Sequence, residues 1–559
     1  MGTATTHLAF ALARMGHAVD VLIGWRHSAD DIEPEWADAY RSAGIRIRAA
    51  ASSEEPVEPA HFAVARKVEL ELRAEPPNVV VVHDLGGPAY SALRLRQAGT
   101  AFQDTLFIVY CHGARRYILE LSQTLGVKDL RELLEVAVHE QASVELADVV
   151  VSPSAYLVDW MRNDGWSLPD QTVVIPYFTR SSALGGIVRR LDRHGRARRL
   201  VFFGRLDERK GITLLTSALN ALPTELLAGV KLDFVGKPTA TWSPERIASL
   251  LSQQTRRALE GIGFETALDQ RQALEHLQAP GTLVVMPSLR ENSPNTVYEC
   301  LEHGIPFVAS DVGGVSELIA PEDRPRVLFE PTPEGVERAL RAVLGSGDTL
   351  QPVRASFDAD EAYERWAEVI KLQPQRQQTR EHADDEFVLL VGDDDVPDGQ
   401  LLDILRRAQE ATGADVVTCG VRVTNDQGST LHLFSGEPGG LGALSNGYGT
   451  VGLVPRSLLP AAEADLGWPL FAALASKGAQ IVSVPLPLVT QQRPPGSVEG
   501  TPADALLAVQ ALETGLPRPL RALARVAAGL ALTQTQAPTR SRGLIRRALG
   551  RIRRLGSAA

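Results

Sequence analysis

Two doubly wound α/β domains, a partial α/β unit and a basic helical tail are the architecture predicted by this 559-residue sequence. Three observations carry the prediction. Short, nearly unbroken apolar runs alternate with helical segments, the pattern of parallel strands buried on both faces of a sheet. A polar stretch rich in Gly and Arg, 181–198, separates two such series of similar size. A second polar run, 373–385, precedes a third and shorter series.

The first series opens with a helix over Thr3 to Met15, which sets Leu8, Leu12 and Met15 on one face and stops at Gly16. Strands are expected at 19–23, 79–82, 106–111, 149–152 and 173–175. A domain of this kind ordinarily begins with a strand, whereas this chain begins at the loop after it. A late or truncated start is the expectation, and an empty first sheet position is the alternative. The second series places strands at 200–203, 232–235, 282–286 and 306–309 and closes on a helix over 360–372. Two such domains, 1–180 and 199–372, imply a cleft between them, a common place for a ligand. The third unit, 384–515, opens with a strand at 387–391 followed by Gly392-Asp-Asp-Asp395. The tail, 516–559, is rich in Ala and Arg.

Bulk composition narrows the function. The hydrophobic fraction of 44% is ordinary for a globular chain, and the net charge of -11 argues against nucleic acid as a partner. Cys111, Cys300 and Cys419 are too widely spaced for a disulfide framework or a metal knuckle, which fits a reducing cytoplasm. No apolar run reaches the ~20 residues needed to span a bilayer, and no signal peptide is read ahead of the fold.

Chemistry-bearing residues collect at the strand ends. Arg205 and Lys210 lie on the loop after the 200–203 run, ahead of a helix whose unpaired N–H groups and positive dipole end suit an anion. Glu291 and Glu299 bracket E-N-S-P-N-T-V-Y-E after the 282–286 run, with the N–H groups of Asn292 and Ser293 between them. In an open parallel sheet these strand ends face the ligand crevice. Cations suit a diphosphate, and carboxylates accept hydrogen bonds from sugar hydroxyls. Solvated loop cations, a dipole-facing Glu291 and a surface Glu299 are the alternatives. His112-Gly113 follows the 106–111 run and should turn its imidazole into the cleft; a histidine bonded within its turn is the alternative. His83-Asp84 has the same placement after 79–82. Gly313-Gly314 would either admit a ligand beside the backbone or make a tight turn.

Residues 1 to about 372 resemble a family-4 retaining glycosyltransferase of the GT-B fold, with two Rossmann-like domains facing a cleft. The matching segments are G-T-A-T-T-H-L-A-F-A-L-A-R-M-G-H, C-H-G, V-S-P-S, G-R-L-D-E-R-K-G, E-N-S-P-N-T-V-Y-E-C-L-E-H-G-I-P and S-D-V-G-G-V-S-E-L-I, in the family's order. The resemblance implies that Arg205 and Lys210 hold the donor diphosphate, with Asn292 and Ser293 beside it. Glu291 would contact the donor sugar, Glu299 the nucleotide ribose, and Gly263 and Phe264 would lie near the base. His112 would line the sugar, while Gly2 and Asp84 would lie on the acceptor side. It further implies transfer with retention and without a metal or cofactor. The donor would be a UDP- or GDP-sugar, and the acceptor a glycan or lipid-linked glycan of a bacterial cell envelope.

Residues 384–500 resemble the second half of a family-2 GT-A glycosyltransferase through D-E-F-V-L-L-V-G-D-D-D-V-P-D-G and L-G-W-P-L-F-A-A-L-A-S-K-G-A-Q-I-V-S-V-P. The base-binding half of that family is absent, and Leu466-Gly467 stands where its acidic pair belongs. A non-catalytic remnant is therefore expected, with Asp393 and Asp395 as a weak metal site and a solvated acidic turn as the preferred reading. Its missing strands predict a poorly covered sheet edge and a surface for a partner. In the tail, 542–555 sets Leu544, Ile545, Ala548, Leu549, Ile552 and Leu555 against a face of arginines, a pattern for a helix on anionic lipid at the inner face of the plasma membrane. A solvated basic tail is the alternative. Two other functions remain open: inverting, metal-dependent transfer by the third unit, and a non-catalytic scaffold made of degenerate glycosyltransferase units.

Overall fold

A computed structural model of the chain describes residues 2–24, 32, 34–51, 55–119, 130–185, 195–375, 386–393, 395–426, 428–436, 446–459 and 467–492. The basic tail with its Arg542–Leu555 stretch, Asp394, Leu466, half of the first polar linker and most of the second lie outside these residues. The strands, in chain order, are β1 (Asp20–Ile23), β2 (Arg46–Ala49), β3 (Val57–Glu58), β4 (Val79–His83), β5 (Leu106–Tyr110), β6 (Val149–Ser152), β7 (Thr172–Val174), β8 (Arg199–Phe203), β9 (Lys231–Val235), β10 (Gly261–Glu265), β11 (Thr282–Met286), β12 (Phe307–Ser310), β13 (Leu328–Phe329), β14 (Phe387–Leu390), β15 (Val396–Pro397), β16 (Val416–Asn425), β17 (Gly428–His432), β18 (Gly452–Pro455) and β19 (Ile481–Gln492). Two compact units emerge, one made of residues 1–51, 75–90 and 104–375, the other of 52–74, 91–103 and 376–559.

The first unit holds three parallel sheets. The largest runs β10-β9-β8-β11-β12-β13, with its first strand in the middle, so the order reverses between β8 and β11. The N-terminal half forms two pieces, β1-β2 and β4-β5-β6-β7. Its second piece is apolar where it is interior: every residue of β5 and β6 is buried, while Val79 and Val81 of β4 are half-buried. Comparison with the larger sheet explains the split. There β8 joins the two wings, and among the described residues the N-terminal half has no counterpart of β8. The helix Gly2–Arg14 bridges instead: Leu8, Ala11 and Leu12 pack with β5 and β6, whereas Ala9 and Phe10 pack with Tyr40 and Ile45 beside β1-β2.

A shared core ties the halves of this unit together. It joins Ile108, Tyr110 and Val151 of the N-terminal sheet to Val201, Val284 and Met286 of the larger one. The last helix, Ala359–Val369, returns to the N-terminal half. Its Trp366 is fully buried at 5.2 Å from the Tyr110 ring, and the nearby Tyr363 hydroxyl donates to the Ala11 carbonyl at 3.1 Å.

The second unit differs from the sequence expectation in what it contains. Its mixed sheet runs β14-β18-β16-β17-β3, with β19 pairing β16 and β15. β3 comes from the stretch between β2 and β4 and lies parallel to β17, so one expected open edge is covered by the chain itself. The Arg422 guanidinium fixes the register by a two-pronged bond to Glu55 at 2.9 and 3.2 Å, and Ser429 adds a hydroxyl donor at 2.6 Å. Residues 91–103 join the same unit: Leu93, Leu95 and Ala98 are fully buried, and Gly99 sits against Arg407 and Ala411 of the helix Leu401–Thr412. These two segments thus add an edge strand and further packing to the sheet formed within 386–492. No helix among the described residues is long and apolar enough to cross a membrane.

Candidate active site

The reversal between β8 and β11 brings two loops together, and the sequence makes their approach unusually close. After β8 the chain runs through Arg205, Asp207 and a single turn, Glu208–Lys210, capped by the Asp207 carboxylate on the Lys210 N–H. Gly211 then takes φ +77°, and a Cβ there would lie 1.7 Å from the Pro287 carbonyl oxygen. Only glycine permits this backbone to lie on the loop that follows β11. The second loop is fixed in the same way from its other side. Gly313 has φ +56°, and its Cβ would meet the Glu291 carbonyl at 1.7 Å; the neighbouring Gly314 N–H donates to the Asn292 carbonyl at 3.0 Å. Gly313-Gly314 thus lets backbone meet backbone at the Glu291 loop.

Glu291 is the centre of the resulting cluster. Its side chain is nearly buried and accepts from the Lys210 ammonium, from the Ser288 hydroxyl at 2.7 Å and from the Arg209 guanidinium at 3.3 Å. Burial by itself would raise this carboxyl, but the Lys210 and Arg209 charges more than offset it and hold Glu291 below the ordinary carboxylate range. Arg205 lies on the same loop, is largely exposed, and pairs with Asp207 at 2.7 Å. The two helices that start beside this cluster, Ile212–Ala221 and Asn295–His303, carry no side-chain cap. By contrast Pro244–Ser249, Gln253–Ala258, Gln270–Leu277, Pro333–Ser346 and Ala359–Val369 are each capped by Ser, Thr or Asp. Uncapped first-turn N–H groups at the point of reversal suit an anionic ligand.

Glu299 stands one helical turn deeper and has a different environment. It accepts from the Gln270 amide at 2.6 Å, and no Lys or Arg among the described residues comes within 4.0 Å. Burial, helped by the nearby Glu302, pushes its carboxyl up to about 7. The two glutamates of the motif are therefore opposites, one clamped as an anion and one poised between its charged and neutral forms near pH 7.

The N-terminal half contributes His112. Its Nδ1 bonds the Tyr177 hydroxyl at 2.6 Å, while Nε2 is buried with no partner among the described residues. Burial, with the His83 ring tilted against it 4.7 Å away, drives the imidazole well below its usual value, so the ring is neutral. Asn292 bridges the halves: its Nδ2 donates to the His112 carbonyl at 3.2 Å, and its Oδ1 accepts from Ser154. Ser293 shares a bond with the Tyr298 hydroxyl at 2.9 Å. Glu317, from the same loop region as Gly314, accepts from the Ala155 and Tyr156 N–H groups at 2.7 and 2.8 Å.

The remaining sequence candidates occupy other places. Asp84 is buried, and both its oxygens are taken by backbone N–H groups, those of Leu85 and His112 on one and of Gly113 on the other. It braces the His112 loop from beneath. Glu140 does the same from the side, accepting from Gly86 and Arg115 N–H groups at 2.6 and 2.5 Å. Gly263 lies mid-strand in β10, where a Cβ would strike the Asp233 carboxylate at 2.4 Å, and Phe264 stacks on Phe234 at 5.0 Å. Gly2 begins its helix with open space around it. In the second unit Asp393 is exposed, and Asp395 accepts from the Gly392 N–H at 3.1 Å and the Gln491 amide at 2.9 Å. Among the described residues no group of three or more His, Cys, Asp or Glu side chains could hold a metal ion. Sequence reasoning missed Arg209, Ser288 and Gln270. Arg209 had a signal, two adjacent cations in a tight loop; Gln270 had none, because only tertiary packing brings it to Glu299.

Comparison with known proteins matches both halves of the first unit. Residues 1–179 fit the model for "Glycosyltransferase Family 4", and residues 197–346 the one for "Glycosyl transferases group 1". Glycogen synthase 2 of Nitrosococcus oceani is 31% identical over 151 residues, 27% of this chain and 26% of its own length. Sulfoquinovosyl transferase SQD2 of Arabidopsis thaliana is 25% identical over 177 residues, 31% of this chain and 32% of its own. The chain thus aligns with about a quarter to a third of the length of these curated relatives. Among solved structures, sucrose-phosphate synthase from Thermosynechococcus elongatus is similar with a TM-score of 0.43 and 20% identity, covering 65% of this chain and 89% of its own. Anabaena Alr3699/HepE, solved in complex with UDP and glucose, gives 0.42 and 16%, covering 66% and 95%. Residues 1–179 and 197–346, each on a half built of parallel sheet, thus match glycosyltransferase families.

Proposed function

We propose that the first unit transfers a sugar from a nucleotide-diphospho-sugar to a hydroxyl acceptor with retention of anomeric configuration. The observation that carries this reading is the charge arrangement at the β8–β11 reversal: Lys210 and Arg209 clamp Glu291 beside two uncapped helix starts. The cations and the carboxylate neutralise one another. A donor replaces both sides of that pairing, since its diphosphate takes Lys210, Arg205 and the helix N–H groups while its sugar hydroxyls donate to Glu291. Asn292 and Ser293 lie at the same loop, and the unpartnered Nε2 of the neutral His112 is free to bond a sugar hydroxyl. Glu299 takes the ribose, and β10, with Gly263 at its middle and Phe264 next to it, lies toward the base.

As the anomeric bond breaks, negative charge grows on the leaving diphosphate, and these fixed cations and dipoles stabilise it. The acceptor hydroxyl enters on the same face and gives its proton to the departing phosphate. Cations and helix ends supply the charge, so turnover in this reading is metal-independent and withstands EDTA. The acceptor, a glycan or a lipid-linked glycan, approaches from the N-terminal half, where Gly2 begins the first helix and Asp84 props the His112 loop. The second unit is read as a non-catalytic GT-A-like remnant, its Asp395 engaged by Gln491 rather than free for a metal.

The test is a thermal-shift screen of the whole chain with UDP-, GDP-, ADP- and dTDP-sugars. One nucleotide should raise the transition, by about 2.7 kcal/mol of stabilisation at a hundredfold excess over Kd, and Lys210→Ala should remove that gain. A screen in which none of the four moves the transition would overturn the reading.

A further inference from the structure

Glu299 and Gln270 form a pair whose consequence goes beyond holding a ribose, although the argument rests on the donor-site reading above. Three observations stand together. The half-buried Glu299 carboxylate lies on the helix Asn295–His303, and its Oε1 accepts from Gln270 Nε2 at 2.6 Å. Gln270 is the first residue of the facing helix Gln270–Leu277, whose start is locked by a capping box between Asp269 and Gln272, so its amide is delivered from a rigid element. Oε2 accepts from no described residue, and it is the atom left for a ligand. The charge surroundings are one-sided. The facing helix presents an amide, not a cation. On its own helix the nearest charged group is Glu302, itself held by the Ser181 N–H and hydroxyl and lying 4.0 Å from His303.

We propose that Gln270 is a positioning residue that fixes one oxygen of Glu299 and leaves the other for the nucleotide's ribose diol, so that donor binding expels a proton from Glu299. The free carboxyl sits at about 7 through burial and Glu302, with Gln270 opposing the rise. Two diol hydroxyls donating to Oε2 favour the ionised form and lower that value. The sign follows: the free protein binds the proton more tightly than the complex, so affinity rises with pH through about 7 and levels off above it. The expelled proton goes to solvent.

The experiment is calorimetric titration of the whole chain with UDP-glucose, GDP-mannose or ADP-glucose, whichever the thermal screen selects, from pH 5.5 to 9. The diphosphate diester of these donors has no proton that titrates in this range, and their base protons begin to leave only toward pH 9. For a group at 7, affinity should fall about eightfold from pH 7.5 to 6.0, with measurable proton release in buffers of different ionisation heat. Glu299→Gln should give weaker binding with a flat profile. Gln270→Ala should move the midpoint up by about one pH unit, so that its deficit is large near neutrality and closes toward pH 9. A flat wild-type profile overturns the proposal, as does a Gln270→Ala deficit of the same factor at every pH, which would mean a merely structural role. Failure of every nucleotide-sugar to bind at any pH would instead remove the donor-site reading beneath it.

Discussion

Replacing Lys210 by methionine isolates the electrostatic centre of the site. Methionine keeps the length and apolar stem of the side chain and removes only the ammonium. Glu291 would then be a nearly buried carboxylate with the Ser288 hydroxyl at 2.7 Å and one guanidinium nitrogen at the longer distance of 3.3 Å. Removing one partner of a buried ion pair costs on the order of 3–5 kcal/mol. Because Arg209 remains, the lower end applies, and about 3 kcal/mol is the expected loss at pH 8. With Lys210 gone, burial has less opposing it, so the Glu291 carboxyl rises. The folded state then binds a proton the unfolded chain does not, and the loss shrinks as pH falls toward 5. The double variant K210M/E291Q removes the stranded charge and should recover more than 1 kcal/mol. For a unit of this size each kcal/mol moves Tm by roughly 1–2 °C, so the single variant should melt about 4 °C lower at pH 8. Thermal unfolding of wild type, K210M, E291Q and the double variant at pH 5 and 8 measures this. A single variant within 1 °C of wild type at both pH values, or a double variant less stable than K210M, would refute the reasoning.

Three further outcomes are expected. Gly211→Ala forces a Cβ to 1.7 Å from the Pro287 carbonyl at a φ of +77°, so it should destabilise by more than about 3 kcal/mol, visible as a lower Tm or as insoluble protein. A chain ended at residue 375 loses the partners of Val57, Leu93 and Glu55, and hydrogen exchange at 52–74 and 91–103 should accelerate sharply. Equal protection with and without 376–559 would contradict the shared second unit. His83, buried beside Thr5, is held down to about 4 from an ordinary 6.5 by burial. Its folded value is depressed, so the unfolded chain binds more protons between 4 and 6.5. The stability it contributes is complete above 6.5 and fades as pH falls toward 4, by about 3 kcal/mol in all. His83→Asn should therefore lose less Tm than wild type when pH drops from 7 to 5.

Much of the first unit was legible because it obeys simple periodicities. Buried parallel strands read as unbroken apolar runs, and β6, every residue of which is buried, falls at the expected 149–152. Lys210 and Glu291 were legible because strand-end loops in such sheets are where charge is useful. The split N-terminal sheet was half visible, as a missing strand; its form, with one helix bridging two pieces, follows from packing that no local pattern encodes. Asp84 shows a different limit. At a strand end it looks like a ligand group, but its carboxylate is consumed by the Leu85, His112 and Gly113 N–H groups. Recruitment of 52–74 and 91–103 into the second unit was illegible for the same reason that Gln270 was. A helix buried all round and one buried on a stripe differ by a few small residues, such as Ala92 and Ala98, whose meaning appears only when the opposite face is covered.

The measurement closest to the central claim is the release of nucleoside diphosphate from the stabilising nucleotide-sugar by wild type, Lys210→Ala and Glu291→Ala, each first shown to be folded. The account predicts turnover in the wild type and a loss of at least about a hundredfold in each variant, since both remove groups set against the leaving diphosphate and donor sugar. Full turnover in both variants would contradict it, because the reaction would then lie outside the cluster around Glu291.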